Sequence, residues 1–211
     1  MFALLTLFFT SLVVAFSGAM MPGPLLTVTI NESTRRGAIA GPLLIAGHAI
    51  LELILVVFLI LGLAPFLKHD VFFLVIAFLG GAIMFWMAYG MFRSLPTLSV
   101  QTEATTSVKQ KNLPLAGALM SLANPYWIIW WATIGIGYIV YAQQFGLWGI
   151  VLFFIGHITG DLIWYSAISI AVSKGKKLFT DRIYRILIAL CGSFLVGFAL
   201  YLVIVALMKI L

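Results

Sequence analysis

Apolar residues run almost unbroken through six stretches of this chain, roughly 2–30, 37–63, 71–93, 115–141, 147–172 and 183–210, with polar residues gathered between them. Each stretch is about as long as the ~20 residues that carry an α-helix across the hydrocarbon of a bilayer. Membrane barrels are built from short alternating segments, which these continuous runs are not. The pattern predicts an all-α membrane protein with six transmembrane helices.

Two of the runs are interrupted. In the first, Met21-Pro22-Gly23-Pro24 places two prolines where each removes a backbone donor and restrains the residue before it. In the fourth, Asn124-Pro125 does the same. Freed backbone groups inside a span are tolerated only against protein or a water-lined cavity. Interruptions in corresponding helices of two halves are the sequence mark of a transporter binding site.

The halves correspond elsewhere too. Gly47-His48-Ala49-Ile50-Leu51-Glu52 is echoed 109 positions later by Gly156-His157-Ile158-Thr159-Gly160-Asp161. At the same offset Gly37 matches Gly146, Leu43 matches Leu152 and Leu53-Ile54 matches Leu162-Ile163. The third and sixth runs match more weakly, through Gly81 with Gly192 and Ala88 with Ala199, as scaffold helices would. The domain reading is a three-helix repeat over 1–93, a polar cytoplasmic linker over 94–114 and a second repeat over 115–211. A polar loop, 31–36, is expected to open the second run, and Gly37, Gly41 and Gly47 are expected to give it one small-residue face for packing.

Composition closes off other classes. Of 211 residues 64% are hydrophobic and 9% charged, and the mean hydropathy is +1.18, values that exclude a soluble domain. The net charge of +6 lies between apolar runs and forms no nucleic-acid-binding face, so the bilayer and not nucleic acid is the partner. The single cysteine, Cys191, cannot close an intramolecular disulfide and reads as a small core residue. Met1 to Leu5 lacks a basic leader region, so the first span is expected to be retained. Ten of the twelve Lys and Arg residues fall in the odd-numbered loops. This places those loops in the cytoplasm and both termini outside a cell (inner or plasma) membrane. An odd number of helices per repeat then makes the two repeats inverted.

A His and a carboxylate four apart share one helix face. Glu52 and Asp161 lie near the middle of their runs, where an ionisable group costs at least about 2.5 kcal/mol and function is the default explanation. His48, Glu52, His157 and Asp161 are therefore expected to converge on one midplane cavity. The half-helix after Pro24, with Thr27 in its first turn, directs amides toward the break and suits a carboxylate. Asn124 is expected to cap the equivalent half-helix. Pro22, Gly23, Pro24, Thr27, His48, Glu52, Asn124, Pro125, His157 and Asp161 make up the expected translocation site. Glu52 and Asp161 would hold an ammonium group or exchange it for protons, with the histidines as relays. Tyr126, Trp127, Trp130 and Trp131 could form a cation–π wall, but lipid contact is the commoner role and the one expected. No cofactor, metal site or catalytic residue is expected, and the sequence leaves open whether the chain works as a homodimer.

These residues resemble the LysE-type family of amino-acid exporters, which includes the homoserine and threonine exporters. The resemblance is carried by Met21-Pro22-Gly23-Pro24, Arg36-Gly37 with Gly41 and Gly47, Gly80-Gly81 with Ala88-Tyr89-Gly90, and Asn124-Pro125. It implies a six-helix exporter of amino acids or related metabolites driven by the proton gradient. The repeated Gly-His-x-x-x-Glu/Asp pair departs from the better-known members. A divalent-cation exporter is the competing reading, since two His and two carboxylates can complete a four-ligand site. Passage of reducing equivalents lacks its cysteine pair, and an intramembrane hydrolase lacks a Ser or Cys nucleophile beside the His–carboxylate pair.

Overall fold

The computed structural model describes residues 2–63, 70–97, 112–175 and 180–210, and every regular element among them is helical. Helix α1 (Phe2–Ala19) stops before the double proline, and α2 (Pro24–Arg36) starts on it. A short tight turn (Gly37–Ile39) leads into α3 (Ala40–Phe58), which loosens into a π-helical turn at Leu59–Leu63. Helix α4 spans Asp70–Ser94. The fourth apolar run is divided into α5 (Leu113–Leu122), α6 (Pro125–Trp130), a π-helical turn (Trp131–Gly135) and α7 (Ile136–Gln143). Helices α8 (Gly146–Lys174) and α9 (Asp181–Ile210) complete the chain.

The exterior is apolar, and polar side chains are buried within a largely apolar core. Trp86 and Trp148 are 75% and 70% exposed, while Ser11, Thr29, Glu32, Ser33, His48, Glu52, Ser121, His157, Asp161 and Ser169 are buried. Water would not permit that distribution; lipid does, because its chains are as apolar as the side chains they meet. Among the described residues, the helical stretches Phe2–Ala19, Pro24–Gly62, Gly146–Lys174 and Asp181–Ile210 are long and apolar enough to cross a bilayer.

With no hydrophobic drive between helices in lipid, close packing has to hold them together, and glycine allows it. Helix α1 lies along α8, where Gly156 and Gly160 face the carbonyls of Phe8 and Leu12. Helix α3 lies along α5 by a reciprocal contact: Gly47 faces the carbonyl of Pro114, and Gly117 faces that of Leu44. Helices α4 and α9 pair through Ala77, Met84, Ala88, Leu195, Ala199, Leu202 and Ala206. Lys209 on α9 also pairs with Asp70 on α4.

Two expectations change. The polar loop expected at 31–36 is the last part of α2. Its hydroxyls satisfy themselves on the helix, Ser33 and Thr34 donating to the carbonyls of Thr29 and Asn31. Arg36 pairs with Glu32 one turn back at 2.8 Å, and Ser33 bonds Ser169 of α8 at 2.9 Å. The expected single glycine face is also divided. Gly37 caps α2 with φ 77°, Gly41 meets Tyr165 of α8, and Gly47 meets α5. Six residues from Gly41 to Gly47 turn the helix well away from its starting face. Most of the expected linker over 94–114 lies outside the described residues, as do the side chain of Cys191 and the lysines at 68, 109, 111, 176 and 177. At its edge Asn112 caps α5, its side-chain oxygen accepting the Leu115 amide at 3.1 Å.

Candidate functional site

The site forms where α3 and α8 face each other beneath the two proline breaks. On each helix the i, i+4 spacing turns one His and one carboxylate to the same side, and the four side chains meet. His48 Nε2 lies 3.0 Å from Glu52 Oε1 and 3.4 Å from Asp161 Oδ2. His157 Nε2 lies 3.1 Å from Glu52 Oε2 and 3.4 Å from Asp161 Oδ2. Each imidazole therefore touches both carboxylates, one of them on the other helix. All four residues are buried.

Ser121 Oγ lies 2.7 Å from His48 Nδ1 and 2.8 Å from the Gly117 carbonyl, so it ties the His48 ring to α5. His48 Nε2 faces the carboxylate oxygens of Glu52 and Asp161. Glu52 Oε1 accepts two further bonds, from the indole N–H groups of Trp127 and Trp131, each at 2.9 Å. Glu52 Oε2, Asp161 Oδ2 and both ring nitrogens of His157 are buried without a well-directed hydrogen bond. Such groups are rare in folded proteins and mark places where a proton, water or ligand belongs.

Above the cluster is a cavity of about 40 Å³, walled among others by Gly23, Asn124, Trp127, Trp130 and Tyr165. It has ample room for water. Gly23 and Asn124 bring the two breaks together: a Cβ on Gly23 would come within 3.1 Å of Asn124 Nδ2. The half-helices differ in one respect. Helix α6 is capped by Asn124, whose side-chain oxygen accepts the Tyr126 amide at 3.1 Å. Helix α2 starts at extended Gly23 with no side-chain cap, so its first amides are left for another acceptor. Pro22, Pro24 and Pro125 shape the breaks, and the Thr27 hydroxyl is spent on the Gly23 carbonyl at 3.2 Å.

The tryptophans were expected toward lipid, and the structure turns them inward. Trp130 and Trp131 are buried, with ring centroids 4.7 and 5.5 Å from that of His157. Trp130 Nε1 donates to Ser17 Oγ at 3.0 Å, and the Tyr126 hydroxyl donates to the Ser17 carbonyl at 3.0 Å, tying α6 to α1. A buried carboxylate needs donors, and indole N–H groups on the adjoining face of the broken helix supply them. Ser121 escaped the sequence reading. Its signal was a hydroxyl one turn before the second break, in a run otherwise apolar.

A family model described as LysE type translocator matches residues 16–206 of the chain. Searches of curated proteins and of solved structures found no match.

Proposed function

We propose, from the premise that this chain belongs to the LysE type translocator family, that it exports amino acids or similar small zwitterionic or cationic metabolites in exchange for protons. The observation that carries this reading is the His48–Glu52–His157–Asp161 cluster, two carboxylates bridged by two imidazoles in a buried setting. Stripped of protons and of substrate, it would leave two negative charges in an apolar interior, at a cost of several kcal/mol each. A cation must therefore stay in the cluster at every stage. Two protons serve in one state, one proton and the substrate's ammonium group in the other, and exchanging a proton for the ammonium group is antiport.

The uncapped start of α2 suits the substrate's carboxylate, through free amides and the positive end of the helix. Cluster and half-helix open on the same cavity, which matches the two ends of an amino acid. We take the chain as two inverted three-helix repeats, 1–93 and 115–211, joined by a linker, with termini outside the plasma membrane. The packing supports this: α1 on α8 and α5 on α3 are the same pairing with the halves exchanged, while α4 pairs with its counterpart α9. The competing divalent-cation reading has no comparable use for α2.

Trp127 and Trp131 act as positioning residues for Glu52. Replacing either by Phe removes one hydrogen bond to a charged group, worth about 1.5–3 kcal/mol, so export is expected to slow roughly tenfold or more in a folded protein. Efflux of radiolabelled amino acids from cells expressing Trp127→Phe or Trp131→Phe measures it. The wider reading is tested by the same assay across amino acids, alongside zinc and cadmium tolerance. Efflux of at least one amino acid supports it, and metal tolerance alone would favour the cation reading.

A further inference from the structure

The two imidazoles and two carboxylates of the cluster meet at separations that suit a metal ion as well as they suit protons. Zn²⁺ takes imidazole nitrogen and carboxylate oxygen at about 2.0–2.2 Å in a tetrahedron, which sets neighbouring donors about 3.3–3.6 Å apart. The four N···O separations across the cluster are 3.0, 3.4, 3.1 and 3.4 Å, within a few tenths of an ångström of that spacing. His48, Glu52 and Asp161 each bring one donor atom within 4.8 Å of the other two. We propose that the cluster binds Zn²⁺ as an inhibitor, which takes the place of protons and solute together. The site stands on this geometry alone, whereas its effect on exchange rests on the export reading.

The atoms offered to the ion are those with no other use. Glu52 Oε1 is taken by the indole N–H groups of Trp127 and Trp131, while Glu52 Oε2, Asp161 Oδ2 and His157 Nε2 are buried without a hydrogen bond. His157 Nε2 is 3.1 Å from Glu52 Oε2 and 3.4 Å from Asp161 Oδ2, close to both and aligned for a hydrogen bond with neither. A hydrogen bond needs its proton near the line between two atoms; an ion needs lone pairs that converge beside that line. An outer shell is present too. A histidine that ligates through Nε2 gives its Nδ1–H to a neighbouring acceptor, and Ser121 Oγ lies 2.7 Å from His48 Nδ1. Two imidazoles among the four donors select zinc over Mg²⁺ or Ca²⁺, which take oxygen.

Charge explains why such an ion arrests the exchange. One Zn²⁺ balances both carboxylates, so its binding releases two protons, or one proton and the substrate's ammonium group, and the cluster then needs neither. The ion also has nowhere to go. Beyond these four residues, the lining of the cavity holds no other imidazole, carboxylate or thiol to which it could pass. Its ligands come from α3 and α8 together, so it cross-links a helix of each half.

The test uses the purified full-length chain, free of any affinity tag, with His69→Asn and Cys191→Ser so that the cluster holds its only imidazoles and no thiol remains. Zinc affinity is read by competition with a chromophoric chelator. About one Zn²⁺ per chain is expected, undisturbed by a large excess of Mg²⁺. His157→Gln, Asp161→Asn and Ser121→Ala should each weaken binding at least roughly tenfold while the protein stays monodisperse. No saturable binding to the parent, or the same affinity in all three variants, would overturn the site. In liposomes, zinc at about ten times its Kd is expected to slow amino-acid exchange roughly tenfold, with EDTA restoring it and Mg²⁺ without effect. Exchange untouched by saturating zinc, or radioactive zinc carried into the liposomes, would overturn the inhibition. Binding needs no transport. Cluster-dependent binding without exchange of any amino acid would remove the export reading and keep the site, whereas amino-acid exchange with no zinc binding would remove the site alone.

Discussion

Glu52→Gln is expected to leave a folded protein in the membrane whose export is at least roughly 30-fold slower than wild type. The side chain keeps its size, and its amide oxygen can still accept from Trp127 and Trp131 as Oε1 does now. What it loses is the charge and the ability to take up a proton. Removing one partner of a buried charge cluster costs about 2–5 kcal/mol, and 1.4 kcal/mol is a factor of ten. With one carboxylate left, the cluster can no longer hold a proton on one acid while the other holds the ammonium group, so the step in which one replaces the other is lost. Asp161→Asn is expected to act in the same direction. In both variants the dependence of efflux on external pH should flatten, and wild-type efflux from both would end the proton-coupling reading.

Gly47→Leu is expected to remove the folded protein altogether. A Cβ at Gly47 would fall inside the carbonyl group of Pro114, and Gly117 makes the reciprocal approach to Leu44. Backbone on one side and helix on the other leave no rotamer to escape into, so α3 and α5 must separate. That would part His48 from Ser121, which its ring reaches across this interface at 2.7 Å. Gly137 has open space where its Cβ would stand, so Gly137→Ala serves as the control. Size-exclusion chromatography in detergent, read by tryptophan fluorescence, should show a monodisperse peak for the control and aggregate for Gly47→Leu. A monodisperse Gly47→Leu would mean the helix pair is looser than its geometry.

The sequence was most informative where polarity contradicted its surroundings. His48, Glu52, His157 and Asp161 stood out because lipid-length apolar runs do not carry such groups without a use, and their i, i+4 spacing fixed which of them share a face. The prolines at 22, 24 and 125 marked interruptions through their missing amides, and α1, α2, α5 and α6 end or begin at them. Orientation was hidden where it depended on apolar faces. A residue such as Trp131 is as stable against lipid as against protein, so its position on a helix does not say which way it points. Only the tertiary partner, a carboxylate 79 residues earlier, decides it. Residues 31–36 misled for the opposite reason: six polar residues look like a loop, but as the end of α2 they bond their own helix and the buried Ser169.

The central claim is that one buried cluster, shared by two halves of the chain, trades protons for solute. Its most direct test is purified protein in liposomes made acidic inside, with the membrane potential clamped and a labelled exported amino acid outside. The account predicts accumulation that follows the imposed pH difference, collapses with a protonophore and is absent in Glu52→Gln. Uptake that is the same with and without the pH difference would contradict it.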